Sequence, residues 1–244
     1  MKNKKLEIIL LCCVCELAII AFVSIADLFD NSIYNLFYNL LYGIGVSVLL
    51  PLLILRKEKS TFDTVGIKKL GKRQFIVLFL FVVFSVCGQI IPKVVSRATI
   101  QWNVLPIAIL PLIMTTFFEE FLYRGFLQSR LEKQFGAVVA IIVSGLLFAL
   151  YHLGYSGFRT VSDVLLLFAV GIGFAVSFKL AKNNLIVSYF VNLPNAFITY
   201  IFKFEQFPKM TVWSTVYAGI TIFLIVALLI TLKVKNKDNI KESV

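Results

Sequence analysis

Two adjacent carboxylates and an arginine form the most unusual group of charges in this sequence. Glu119 and Glu120 follow an apolar run that starts near Leu105, and Arg124 comes four residues after Glu120. On a helix this spacing lets Glu120 and Arg124 pair on one face, while Glu119 points about 100° away and is free for another role. The alternative is an interfacial ion cluster that only ends the helix. Charges at membrane depth are costly and persist mainly where they pair or act.

His152 is the only histidine in the chain and ends a second apolar run, with Phe148 one helical turn before it. A lone histidine on an apolar helix is often a satisfied polar residue or an interface anchor. Its occurrence after the Glu119–Glu120 pair favours a different interpretation. A carboxylate and an imidazole that meet in a low-dielectric site can activate water by general-base catalysis.

Asn192 and Asn195 flank Pro194 in a third apolar run, from Leu185 to Phe202. Proline lacks a backbone donor and loosens a helix, which frees nearby carbonyl groups. The asparagine amides could donate to a developing oxyanion. They could equally satisfy the freed backbone groups, and the residues alone leave both readings open.

The elements that carry these residues are membrane-spanning helices. The chain has 244 residues, of which 59% are hydrophobic and 15% charged, and its mean hydropathy is +0.91. The net charge of +11 lies in short clusters between apolar runs, a pattern that argues against nucleic-acid binding. We predict an all-α fold, a polytopic membrane helical bundle formed by a single domain over residues 1–244. About eight transmembrane helices are expected, at 6–26, 33–55, 75–92, 104–122, 137–154, 162–181, 184–203 and 212–232.

The distribution of Lys and Arg predicts the orientation of the bundle. With eight spans and the N-terminus inside, the cytoplasmic segments hold 19 of these residues and the outer segments hold 5. Cytoplasmic loops of membrane proteins carry such an excess. We therefore expect a multi-pass cell-membrane protein with both termini in the cytoplasm.

Taken in order, these residues resemble the CPBP family of intramembrane proteases, named for CAAX proteases and bacteriocin-processing enzymes and also called Abi proteins. The resemblance covers about residues 104–200. The family motif E-E-x-x-x-R corresponds to Glu119, Glu120 and Arg124, and F-x-x-x-H corresponds to Phe148 and His152. A glycine motif, F-x-x-G-x-x-x-G, corresponds to Phe168, Gly171 and Ala175, with alanine replacing the last glycine. Small residues at this spacing also favour close helix packing.

The resemblance implies an intramembrane endopeptidase, a hydrolase that acts on peptides or proteins in or at the membrane. By this carry-over, Glu119 and His152 activate water. The family's last motif has a histidine where this chain has Asn192, with Ala196 four residues later and Asn195 adjacent to it. Asn192 would then be the hydrogen-bond donor. The candidate catalytic residues are therefore Glu119, Glu120, Arg124, His152, Asn192 and Asn195.

The alternative is a catalytically impaired family member that acts as a membrane immunity or regulatory binding protein. A small transporter or channel is the third hypothesis, but the chain lacks paired broken helices in matching halves. We expect no cofactor, because a catalytic zinc takes three protein ligands, commonly including two histidines, and this chain has one histidine. A divalent metal at Glu119 and His152 is the less favoured alternative. The Lys-, Ile- and Phe-rich chain has no organelle signal and indicates a bacterial origin, which favours a peptide precursor or a bacteriocin-linked role.

Overall fold

The structure is a computed structural model and describes residues 2–29, 32–58, 62–95 and 99–202. Within these ranges the chain forms seven helices and no named strand, and the only β-type pairing is an isolated bridge between Ile100 and Phe202. The prediction of an all-α membrane bundle is confirmed. The helices are α1 (Lys2–Asp27), α2 (Ser32–Lys57), α3 (Lys72–Val95), α4 (Leu105–Phe135), α5 (Ala137–Gly154), α6 (Val161–Leu180) and α7 (Leu185–Ile201).

Six of these helices, α1 to α6, are long and apolar enough to cross a membrane, and α7 is a shorter apolar helix of 17 residues. The seven predicted spans up to residue 203 each correspond to one helix. The predicted span 212–232 lies outside the described residues, so the count of eight remains a prediction. Together with the apolar composition, these helices indicate a multi-pass membrane protein.

Helix α4 is longer than the predicted span 104–122, because it continues for 31 residues to Phe135. Its middle part, Glu120–Gln128, is π-helical, and every residue of that part is buried. Short π-helical turns inside α-helices are frequent at functional sites. The two glutamates thus lie in the middle of a buried helix, which argues against an ion cluster that merely ends it.

Helices α5 and α6 approach each other closely through two glycines. A Cβ atom added to Gly171 would lie 2.8 Å from the Gly145 carbonyl oxygen, and one added to Gly145 would lie 3.0 Å from the Ile172 nitrogen. Ala175, one turn after Gly171, is fully buried. The expected packing role of the small residues in α6 agrees with this geometry, which seats α5 firmly in the bundle.

The start of α7 is docked on the loop before α3. The Leu185 amide donates to the Gly66 carbonyl oxygen at 2.8 Å, and Gly66 has a φ of +84°, which glycine adopts without steric cost. The Asn184 side chain caps the helix by accepting a hydrogen bond from the Ile186 amide. These contacts fix the position of α7 and therefore that of Asn192.

Helix α3 lies at the periphery of the bundle. No residue of its most apolar window, within Lys72–Ile91, is buried, and Phe79 and Phe84 are among its exposed side chains. A helix with this surface suits contact with lipid acyl chains.

Candidate active site

Polar side chains from three helices meet in the interior of the bundle. Helix α4 contributes Glu119, Glu120 and Arg124, the end of α5 contributes Tyr151, and α7 contributes Asn192. None of these five side chains belongs to a residue that is more than 8% exposed. Charged groups so deep in the bundle are removed from lipid as well as from water, and they must find their partners among one another.

Asn192 joins the two carboxylates. Its Nδ2 donates to Glu119 Oε2 at 2.9 Å and to Glu120 Oε1 at 3.0 Å. The glutamates therefore converge on one amide and do not face separate surfaces as expected. A side-chain amide has only two N–H bonds, so both donors of Asn192 are already used by carboxylates in this arrangement.

Glu120 forms the predicted ion pair with Arg124. The Nε of Arg124 lies 3.6 Å from Glu120 Oε2, and both residues are fully buried. The guanidinium also donates from Nη1 to the hydroxyl and carbonyl oxygens of Ser144 in α5, at 3.1 and 3.3 Å, and lies 4.9 Å from the centre of the Phe148 ring. Ser144 was not anticipated from the sequence.

Among the described residues, the hydrogen-bond donors to Glu119 are all neutral. Asn192 donates to its Oε2, and the hydroxyl of Tyr151 donates to its Oε1. Tyr151 was missed in the sequence, although a phenol directly before the lone histidine of an apolar helix is a polar group that needs a partner. The two carboxylates thus differ: one is paired with a cation, and the other is held by an amide and a phenol.

His152 lies beside this cluster and does not touch Glu119. Its Nδ1 is 2.8 Å from the Phe148 carbonyl oxygen, which assigns the proton to Nδ1 and leaves the lone pair on Nε2. Among the described residues, no hydrogen bond or ion pair joins the imidazole to Glu119, so the predicted direct pairing is wrong for this arrangement. Tyr151 connects the two residues, because its ring centre is 4.0 Å from that of His152.

Asn195 lies away from the carboxylates. Its side-chain oxygen accepts a hydrogen bond from Gln89 of α3. The structure therefore brings Glu119, Glu120, Arg124 and Asn192 together, places His152 next to them, and assigns Asn195 to the contact between α7 and α3. The expectation that Asn195 belongs to the catalytic set is not supported by this placement, because its side chain lies almost one turn further along α7 and contacts Gln89 of α3.

The cluster combines the groups that peptide hydrolysis requires. A buried carboxylate is a base. The imidazole, whose Nε2 has no hydrogen-bond partner among the described residues, is a second acceptor, and an amide and a phenol are donors. Within the described part of the chain, no group of three or more His, Cys, Asp or Glu side chains is arranged to hold a metal ion. The expectation of a metal-independent reaction stays a prediction.

Comparison with known proteins relates part of this chain to a family of proteases. No protein with a curated function matches the chain. A family model does match, and it describes the Rce1-like family of type II CAAX prenyl endopeptidases. The matched segment is residues 101–198, and it includes both glutamates, Arg124, Tyr151, His152 and Asn192. Residues 101–198 are therefore similar to the Rce1-like CAAX endopeptidases, and this similarity is consistent with the resemblance to CPBP family proteases.

Proposed function

We propose that the protein is an intramembrane endopeptidase in which Glu119 activates the attacking water. The observation that carries this proposal is the contrast between the two buried carboxylates within the matched segment. Arg124 pairs with Glu120, whereas the described residues that donate to Glu119 are the neutral Tyr151 and Asn192. A carboxylate without a cationic partner is the better proton acceptor of the two.

In the proposed reaction, Glu119 removes a proton from water while the water oxygen attacks the carbonyl carbon of the scissile peptide bond. The carbonyl becomes a tetrahedral oxyanion. Protonation of Glu119 weakens its hydrogen bond with Asn192, because a hydrogen bond to a neutral acceptor is weaker than one to a carboxylate. The released N–H of Asn192 then donates to the oxyanion. When the C–N bond breaks, the proton on Glu119 passes to the leaving amine.

His152 has an auxiliary role in this scheme. Its Nδ1 proton is held by the Phe148 carbonyl group, so Nε2 accepts a hydrogen bond from the second hydrogen of the water. The ring is half-buried among Tyr151, Tyr155 and Phe158, at the end of the helix that reaches the cluster. This position suits a residue that orients water at the edge of a dry site.

The proposed substrates are membrane-associated peptides or proteins. The description of the matched family names CAAX prenyl endopeptidases. A bacterial cell normally lacks prenylated CAAX proteins, and for a bacterial chain a peptide precursor is the better candidate. Bacteriocin maturation or self-immunity is the process that we propose for it.

The test uses purified protein in lipid vesicles with two internally quenched peptides that differ only in a farnesyl group on the CAAX cysteine. We expect cleavage of at least one peptide, a loss of more than about 100-fold in Glu119→Gln and a smaller loss in His152→Ala. A strong chelator should leave the rate unchanged. Glu132→Gln is the matched control, because Glu132 lies on the same helix but pairs with Lys179 outside the cluster.

Full activity in Glu119→Gln would refute the proposed mechanism, and loss of activity with chelator would refute the metal-independent form. The second candidate function is a membrane immunity or regulatory binding protein. It is favoured by the asparagine at position 192 and by the separation of His152 from Glu119. That function would be indicated if Glu119→Gln retained the protein's cellular effect while no peptide was cleaved by the wild type.

A further inference from the structure

Tyr151 contacts the carboxylate that we propose as the base. Its hydroxyl donates to Glu119 Oε1, while Asn192 donates to the opposite oxygen. A glutamate side chain has three rotatable bonds, and donors on both oxygens hold its carboxylate plane in one orientation. Such preorganisation spares the reaction the cost of ordering the base.

The ring of Tyr151 is itself held on several sides. It stacks on Tyr123 with ring centres 5.6 Å apart, and the rings of Tyr42 and Phe148 lie 5.9 and 5.8 Å away. The residue is only 1% exposed. It also begins a tight 3-10 turn, Tyr151–Gly154, in which α5 ends. These neighbours therefore hold the Tyr151 hydroxyl in a fixed position.

Some of the packing around Tyr151 is supported by α1, a helix outside the segment that matches the family model. The hydroxyl of Tyr123 donates to Glu16 Oε2 of α1 at 3.3 Å, and both residues are buried. The same helix contacts the end of α5 closely, because a Cβ added to Gly154 would lie 2.8 Å from Val23. Helix α1 thus fixes both Tyr123 and the turn that carries Tyr151.

We propose that Tyr151 is the positioning residue of Glu119, and that α1 fixes it through the contact between Glu16 and Tyr123. The inference rests on the proposed function for its catalytic consequence. Tyr151 acts by orienting the carboxylate and has no contact with substrate in this scheme. The neighbouring Tyr155 provides a contrast, because its hydroxyl donates to Tyr38 at 3.0 Å and does not reach Glu119.

The first test is the steady-state kinetics of Tyr151→Phe with whichever of the two quenched peptides the wild type cleaves. We expect kcat to fall by about 10- to 100-fold, the range for loss of a hydrogen bond to a charged group, with KM unchanged within about twofold. Tyr155→Phe should retain the wild-type kcat. Replacement Tyr151→4-aminophenylalanine, which keeps an N–H donor at that point, should restore most of the rate. A wild-type kcat in Tyr151→Phe, or a loss expressed in KM alone, would overturn the proposal.

The second test needs no substrate, so it separates this inference from the proposed function. The infrared band of the Glu119 carboxylate is identified by subtracting the spectrum of Glu119→Gln from that of the wild type. We expect the band to move in Tyr151→Phe and to stay in place in Tyr155→Phe, with both variants unfolding at temperatures near that of the wild type. An unmoved band would overturn the positioning role even for an active peptidase. A moved band in a protein that cleaves nothing would refute the proposed function and retain the contact.

Discussion

The two sides of the carboxylate cluster are built from different chemistry. On the Glu120 side, a buried arginine forms an ion pair and is anchored to Ser144 of the next helix. On the Glu119 side, the partners are Tyr151 and, beyond it, His152, in an aromatic environment. Asn192 is common to both sides. Adjacent residues of one type thus differ in their surroundings: the Glu120 side joins two helices through an ion pair, and the Glu119 side is the one that we propose for catalysis.

Arg124→Leu should have the largest effect on folding. It removes the cation and leaves Glu120 buried without its ionic partner, which costs about 3–5 kcal/mol in the free energy of unfolding. Glu119→Gln keeps an acceptor oxygen facing Tyr151 but turns an N–H2 group towards the donor of Asn192, and it should cost about 1–3 kcal/mol. Reversible unfolding in mixed detergent micelles measures both values. If Glu119→Gln destabilised the protein as much as Arg124→Leu, the division between a structural and a catalytic side would fail.

Asn192→Ala should have the next largest effect, because Asn192 is the shared partner of the two sides. Its loss removes one donor from each carboxylate and should lower the free energy of unfolding by about 2–4 kcal/mol. Asn195→Ala is the matched control on the same helix. It loses the single hydrogen bond from Gln89 and should cost about 1 kcal/mol. Equal effects of the two substitutions would contradict the central position given to Asn192.

Gly43→Ala should have the smallest effect of the three and tests the support of the Glu119 side by α2. A Cβ at this position would overlap the ring of Phe118, the residue before Glu119. Overpacking of this kind costs about 1–3 kcal/mol. Gly88→Ala in α3 has no atom within 4 Å of the added Cβ and should leave stability unchanged or raise it by up to about 1 kcal/mol. Thermal unfolding in detergent compares the pair, and equal melting temperatures would show that Phe118 yields freely.

The helical bundle could be predicted because hydrophobic length is a strong signal. Each of the seven predicted spans up to residue 203 corresponds to a helix, since every backbone group in lipid needs an internal partner and helices provide it. The predicted span 104–122 falls short of the full extent of α4, because Gln128, Arg130 and Glu132 interrupt the apolar run. Tertiary contacts explain the difference: Gln128 donates to the Ala175 carbonyl oxygen of α6, and Glu132 pairs with Lys179 of the same helix.

Within the site, local spacing predicted the ion pair of Glu120 but not the orientation of Glu119. The ion pair between Glu120 and Arg124 is confirmed, because residues four apart meet on any helix. Glu119 and Glu120 both contact Asn192 because α7 packs against α4 at this point. The spacing of residues along one helix does not specify how two helices pack. The contact of Tyr151 with Glu119 depends in addition on the turn in which α5 ends. The catalytic roles themselves stay predictions.

The buried carboxylate of Glu16 also has a consequence for the synthesis of the protein. Its hydrogen-bond partner, Tyr123, comes 107 residues later in the chain. At about 5–20 residues per second, α1 waits for about 5–20 s before the ribosome has made that partner. During this interval the Glu16 carboxyl group lacks the Tyr123 hydroxyl as its hydrogen-bond partner. An acidic side chain at the centre of a bilayer costs about 3 kcal/mol in insertion free energy. The first helix therefore enters the membrane before the partner of its acidic side chain has been made, and this hydrogen bond forms only when the helix that carries Glu119 and Glu120 packs beside it.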